Sequence, residues 1–198
     1  ENFADKPITW IFLDWNNITD LTPLQNFSSL TKISFSGNQV EDLTPLANIE
    51  TLENITAINN KITKLETLKK LENIKYLTLD GNNITNLNPI INWTNLTDIS
   101  IQNNQITEIS NMKNLTRLRL SGYGKFIQSI NTIKSLPSLQ DLEIYRYYFS
   151  EQENEPIDYT AIKNFKNLTS LTITDKSSKL DCSNISNKLT MLNLQCDS

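Results

Sequence analysis

Residues 77–90, LTLDGNNITNLNPI, decide the fold, because the pattern they carry recurs on both sides of them. Written as L-x-x-L-x-L-x-x-N-x-I, it is Ile74-Leu77-Leu79-Asn82-Ile84 in this stretch. Towards the N-terminus it returns as Leu52-Ile55-Ala57-Asn60-Ile62, Leu30-Ile33-Phe35-Asn38-Val40 and Ile8-Ile11-Leu13-Asn16-Ile18. On the other side it continues as Leu96-Ile99-Ile101-Asn104-Ile106. The asparagines fall at 16, 38, 60, 82 and 104, a constant step of 22 residues. A fixed step sustained over five copies implies a solenoid, in which each coil buries its apolar side against its neighbours.

Each copy divides into three physical parts. The L-x-L segment alternates apolar and polar residues at period two, which predicts a short strand, and stacked strands then pair in parallel. At the asparagine the chain turns inward and leaves backbone groups that no strand partner satisfies. A carboxamide donates and accepts at once, so a column of Asn16, Asn38, Asn60, Asn82 and Asn104 can bond the turning backbone of adjacent coils. The return path carries apolar residues at steps of three: Leu21, Leu24, Phe27, Leu30, then Leu43, Leu46, Ile49, Leu52, and onward to Leu87, Ile90, Trp93, Leu96. That step, with Pro23, Pro45 and Pro89 at equivalent places, predicts 3-10 or irregular segments rather than long α-helices.

The segments NNITDLTPL (16–24), NQVEDLTPL (38–46) and NNITNLNPI (82–90) resemble the 22-residue class of leucine-rich repeat, most closely the internalin-type repeats of bacterial surface proteins. The resemblance covers residues 8–115. It implies an α/β-type leucine-rich-repeat solenoid of about nine coils: a curved right-handed coil with a parallel β-sheet on the concave face and 3-10 or irregular segments on the convex face. It also implies that the concave face binds a protein. The expectation is a single domain over 1–198, with regular repeats at 8–115 and irregular ones at 116–198. Residues 1–198 do not themselves include the helical cap that precedes internalin repeats, an immunoglobulin-like domain or a sorting motif.

Regularity fails after Leu96. The next strand starts, Leu115, Leu139 and Leu168, follow at 19, 24 and 29 residues, and the asparagine places fall at Tyr123, Tyr147, Lys176 and Asp197. The extra residues are expected in loops 121–129 and 145–158, neighbours on one rim that carry Tyr123, Phe126, Tyr145, Tyr147, Tyr148 and Phe149. Loops on a rigid scaffold often carry binding, and interfaces are rich in tyrosine. The opposite reading has some of these rings, Tyr147 and Phe149 above all, filling the space of the missing asparagines.

The outward strand positions are mostly small and polar, which leaves a groove open to a partner. Larger residues in it or beside it are Trp10, Phe12, Trp15, Ile58, Tyr76, Arg117, Arg119 and Glu143. The aromatic group of the first coil is either a second ligand anchor or a cover for the open end of the solenoid. Arg117 and Arg119 lie between Asp98 on one side and Asp141 and Glu143 on the other; they either form an internal charge ladder or reach an acidic group on the partner.

Composition narrows the function. The chain has 198 residues, a net charge of −4 and no histidine, so the commonest general base and metal ligand is missing. Lysine and arginine gather in no basic stripe, which argues against nucleic acid. No apolar run approaches the ~18 residues of a membrane span. No nucleophile–base pair or cofactor loop is visible, so the chain reads as non-enzymatic, without cofactor or metal. Cys182 and Cys196 bracket the last coil; they either form a disulfide that staples an open end or remain two free thiols. The nine N-x-S/T triplets, such as those at Asn95, Asn114 and Asn167, are explained as by-products of the repeat. The resulting expectation is a monomeric protein-recognition module, exported or on a bacterial surface and possessing a host partner. The alternative is an intracellular regulatory subunit of the phosphatase-regulator type.

Overall fold

The computed structural model describes residues 6–106, 108–123, 133–147, 159–175 and 185–195. Its strands are β1 (Trp10–Phe12), β2 (Lys32–Ser34), β3 (Asn54–Thr56), β4 (Tyr76–Thr78), β5 (Asp98–Ser100), β6 (Ile109–Ser110), β7 (Arg117–Tyr123), β8 (Ile133–Lys134), β9 (Asp141–Tyr147), β10 (Ser170–Thr174) and β11 (Met191–Gln195). Nine of them form one parallel sheet in the order β1-β2-β3-β4-β5-β7-β9-β10-β11. Equivalent residues face one another across it, as in Trp10↔Lys32, Lys32↔Asn54, Asn54↔Tyr76 and Tyr76↔Asp98. This sheet is the concave wall of the solenoid.

The convex wall is made of single 3-10 turns at Thr22–Leu24, Thr44–Leu46, Glu66–Leu68 and Asn88–Ile90, with a longer one at Thr160–Asn164. The sequence starts these turns chemically. Asp20, Asp42 and Asn86 each accept the backbone N–H two residues ahead at 2.8 Å. Pro23, Pro45 and Pro89 then fix φ just inside the turn, where no N–H is needed. Between Ile109 and Lys134 the wall instead gains two short paired strands, β6 and β8.

Both walls close on one continuous core. Ile55, Ala57, Ile62, Leu65, Leu68 and Leu71 of the third coil are all fully buried, and their counterparts one coil on are buried too. Each buried Leu or Ile contributes about 1.5–3 kcal/mol relative to leaving it exposed.

The asparagine column spans coils with one repeated pattern. Asn38, Asn60, Asn82 and Asn104 each accept, at 3.0 Å, the N–H of the residue twenty places earlier: Ile18, Val40, Ile62 and Ile84. Their Nδ2 groups donate to carbonyls of the preceding coil, those of Leu13, Phe35, Ala57 and Leu79, at 2.8–3.0 Å. Asn16, on the first coil, is exposed and bonds within its own turn to Leu13 and Asp14. A second ladder runs along the opposite turn. Asn73, Asn95, Asn114 and Asn167 donate to the carbonyls of Glu50, Glu72, Thr94 and Pro137 in the preceding coil. Three of these four open the N-L-T triplets, so the triplets have a structural cause.

Next to each asparagine of the first ladder is a residue in the left-handed region: Trp15 (φ 57°), Gly37 (67°), Asn59 (53°), Gly81 (66°) and Asn103 (51°). Each donates its N–H to the following coil, Trp15 to Ser36 at 2.7 Å and Gly37 to Ile58 at 2.8 Å. Glycine and asparagine adopt this conformation readily; tryptophan does not.

The irregular coils correct one expectation. Residues 121–123 and 145–147 are strand rather than loop, because β7 and β9 run on for three further rungs, Ser121↔Tyr145, Gly122↔Arg146 and Tyr123↔Tyr147. With no asparagine to turn the chain, the alternation of Leu142 and Ile144 continues and carries Arg146 inward. Arg146 is 5% exposed and meets Asp175, which is fully buried at the end of β10, at 3.6 Å. The Tyr159 hydroxyl, from the convex wall, donates to the other Asp175 oxygen at 2.7 Å. An ion pair and a phenol therefore stand beneath coils that have lost their carboxamides. The rings of Tyr123 and Tyr147, and the residues Phe126, Tyr148, Phe149, Cys182 and Cys196, lie outside what is described.

Candidate functional site

The outward positions of the sheet make three parallel lanes, and within the middle one Ser34 and Ser100 are themselves buried beneath their neighbours. The middle lane is Phe12, Ser34, Thr56, Thr78, Ser100, Arg119 and Glu143, so four small hydroxyl residues form a floor between an aromatic end and a charged end. At strand spacings of ~4.8 Å this floor is on the order of 15–20 Å long. Trp10 and Tyr76 belong to one flanking lane, Asp14, Ile58 and Asp80 to the other.

The aromatic end comes from the first coil. Phe12 is 69% exposed, Trp10 55% and Trp15 77%. Trp10 and Phe12 meet edge to face, 6.4 Å between centroids and 83° between planes. Lys32 Nζ lies 4.3 Å from the centre of the Trp10 ring, a cation–π contact that fixes the ring from the second coil. Tyr76 is about half exposed and Ile58 half-buried, both on the groove walls.

The charged end is an internal ladder. Arg117 donates to Asp98 at 2.9 Å and to Asp141 at 2.8 Å, while Arg119 donates to Glu143 at 3.2 Å and Asp98 at 3.4 Å. The hydrogen bond to Asp141 is the main reason that the Arg117 guanidinium holds its proton still more firmly than usual. The Tyr145 hydroxyl donates to Glu143 at 3.0 Å, which ties that ring into the same network. Arg117, Arg119 and Glu143 are thus engaged with one another and with their neighbours. Asp141 and Glu143 face arginines on an open sheet, not a substrate-sized enclosure.

Two acids stitch the groove edge. Asp80 accepts from Ser100 Oγ at 2.7 Å and from the Gln102 N–H at 2.7 Å, and Asp14 is bonded in the same way by Ser34 and Ser36 at 2.6 Å. Burial raises the Asp80 carboxyl above its ordinary value, against the pull of those bonds and of Arg119.

The structure therefore gathers the expected residues into two groups about five strands apart, Trp10–Phe12–Trp15 and Arg117–Arg119–Glu143–Tyr145, with Ile58 and Tyr76 between them. Sequence reasoning missed Lys32 as the fixing group for Trp10, and Arg146, Asp175 and Tyr159 as the polar network under the irregular coils. Continuing the period-two pattern from Leu142 and Ile144 to 146 would have found Arg146. Among the described residues no group of three or more Cys, Asp or Glu could hold a metal ion, and no helix is long and apolar enough to cross a membrane.

No protein-family model matches the chain, and no curated protein matches it. Solved structures do. An internalin, InlF, of Listeria monocytogenes superposes with a TM-score of 0.71 at 24% identity, over 96% of this chain and 61% of that one. Internalin C2 of the same organism gives 0.73 at 22% identity, over 96% and 80%. A leucine-rich-repeat protein of Leptospira interrogans gives 0.64 at 18% identity, over 98% and 57%. The fold is the internalin-type leucine-rich repeat. The chain spans about three fifths of the length of InlF and of the Leptospira protein. Viewed as leucine-rich repeats, the nine concave strands belong to successive coils of one array, and the exposed aromatic cluster sits on its first concave strand.

Proposed function

We propose that this chain is a non-catalytic recognition module whose concave sheet binds another protein. The observation that carries the reading is the pairing of a small-residue floor with three large aromatics left exposed at its head. Interfaces draw most of their affinity from a few aromatic anchors, and a hydroxyl-lined floor lets a partner approach them. The charge ladder supports the same reading from the other side, because it occupies Asp141 and Glu143 in structural pairs. An exported bacterial protein that meets a host protein is the specific version, supported by the likeness in fold to the Listeria internalins.

The test is capture of purified host receptor ectodomains by immobilised wild-type chain and by a Trp10→Ser/Phe12→Ser variant. A loss of more than tenfold in the variant, with an unchanged melting temperature, supports the proposal; equal capture by both defeats it. Export is tested by the intact mass of the chain from its own cells without reductant. A species lighter by the two hydrogens of a Cys182–Cys196 disulfide supports it, and two free thiols point to the intracellular regulator instead.

A further inference from the structure

We infer that Trp15 is a specificity-determining contact of the recognition face and that Gly37 is its positioning residue; the inference rests on the recognition reading above. Four equivalent positions, 37, 59, 81 and 103, are held by glycine or asparagine, the residues that tolerate a left-handed backbone. Trp15 stands at the fifth with φ 57°, where a bulky side chain is strained. Burial in the core does not repay that strain. The side chain is 77% exposed and takes no place in the core. Its backbone N–H bond to Ser36 would be made by any residue other than proline.

Nor does the indole lie on the side of the first coil that points away from the second. It leans the other way, onto the second coil, where its six-membered ring lies so close over Gly37 that a Cβ there would collide with it. Gly37 thus serves as a flat seat. One face of the indole rests on its backbone, and the opposite side projects to solvent beside the turn that follows Phe12. A strained backbone holding an exposed aromatic at a fixed angle is a pre-organised contact, since less side-chain freedom remains to be lost on binding.

Asn59 shows what the same site looks like without such a role. It leans over Gly81 in the same manner, but it is a residue at home in that conformation. The repeat therefore solves the turn with asparagine where only folding is at stake, and departs from it at position 15, on the coil that carries Trp10 and Phe12.

The experiment uses Trp15→Asn, Gly37→Asn and Phe12→Ser in the full chain, with a random dodecapeptide phage library selected on the wild type as the probe. Trp15→Asn relieves the strain, so its melting temperature should rise by about 2–4 °C, while the selected peptides bind it at least tenfold more weakly. Gly37→Asn keeps the turn but removes the seat, and should weaken the same peptides with Trp15 still present. A fall in the melting temperature of Trp15→Asn would make the ring structural and overturn the inference. Peptides sensitive to Phe12→Ser but indifferent to Trp15→Asn would also overturn it, leaving the recognition reading intact. A library yielding no peptide sensitive to either change would overturn both.

Discussion

The Tyr159 hydroxyl donates to the Asp175 carboxylate at 2.7 Å, joining the convex wall to the end of a concave strand through the interior of the solenoid. Asp175 is fully buried and also faces Arg146 at 3.6 Å. Removing one member of a buried ion pair is costly, because the other charge stays buried without the group that faced it. Asp175→Ala should therefore cost about 3–5 kcal/mol, and Tyr159→Phe about 1–2 kcal/mol. Urea unfolding of the three proteins followed by circular dichroism would measure both, and a loss below ~1 kcal/mol for Asp175→Ala would remove the network from the list of stabilising features.

The asparagine column makes a graded prediction. Asn60 bonds the preceding coil at two points, accepting from the Val40 N–H and donating to the Phe35 carbonyl, and it is buried. Asn60→Leu should cost about 1–3 kcal/mol, because the Val40 N–H loses its partner away from water, while the Phe35 carbonyl keeps its bond from Asn38. Asn16→Leu should be nearly neutral by comparison, since Asn16 is exposed and bonds only its own turn. Paired melting curves test the ranking, and equal losses would contradict it.

Asp80 gives a pH dependence of definite sign. Burial raises its folded-state pKa above the unfolded value of 3.8, so between the two the folded chain binds more protons than the unfolded one. Its contribution to stability is therefore unfavourable at neutral pH and is relieved as pH falls through the folded pKa. Asp80→Asn should be more stable than wild type at pH 7, and the difference should vanish near pH 3.8. Thermal melts of both proteins across that range would show the gap closing; a gap that widens on acidification would reverse the assignment.

The ladder of Arg117, Arg119, Asp98, Asp141 and Glu143 is half open to water, with the Arg117 side chain 44% exposed. Its pairs should each be worth about 0.2–1 kcal/mol. A double-mutant cycle on Arg117 and Asp141 should give a coupling in that range that shrinks in 0.5 M salt. A coupling indifferent to salt would mean that the pair is effectively buried.

The repeated coils were legible because period and chemistry agree in them. Leu77, Leu79 and Asn82 name an inward pair and a turn, and the same spacing returns until Asn104. The charge ladder was legible as one of two readings, since Asp98, Arg117 and Asp141 fall on one register once the strands are aligned. The network at Arg146 was hidden by its own polarity: an arginine after Ile144 looks like the start of a surface loop. Only the absence of a turning residue keeps the strand going and drives that side chain inside. The seat at Gly37 was hidden for another reason, because contact between residues 22 positions apart along a turn leaves no mark in apolar periodicity. Trp15 showed only as one more aromatic near the first strand.

The left-handed row has a consequence for how such a chain can be lengthened or cut. Across the first four coils Trp15 lies over Gly37 and Asn59 over Gly81. Bulk and vacancy alternate, so the coils come as couplets and the exchangeable unit is 44 residues rather than 22. Excising a couplet would bring like to like and preserve the rhyme. Excising one coil would set Trp15 against Asn59, two side chains contending for a single seat.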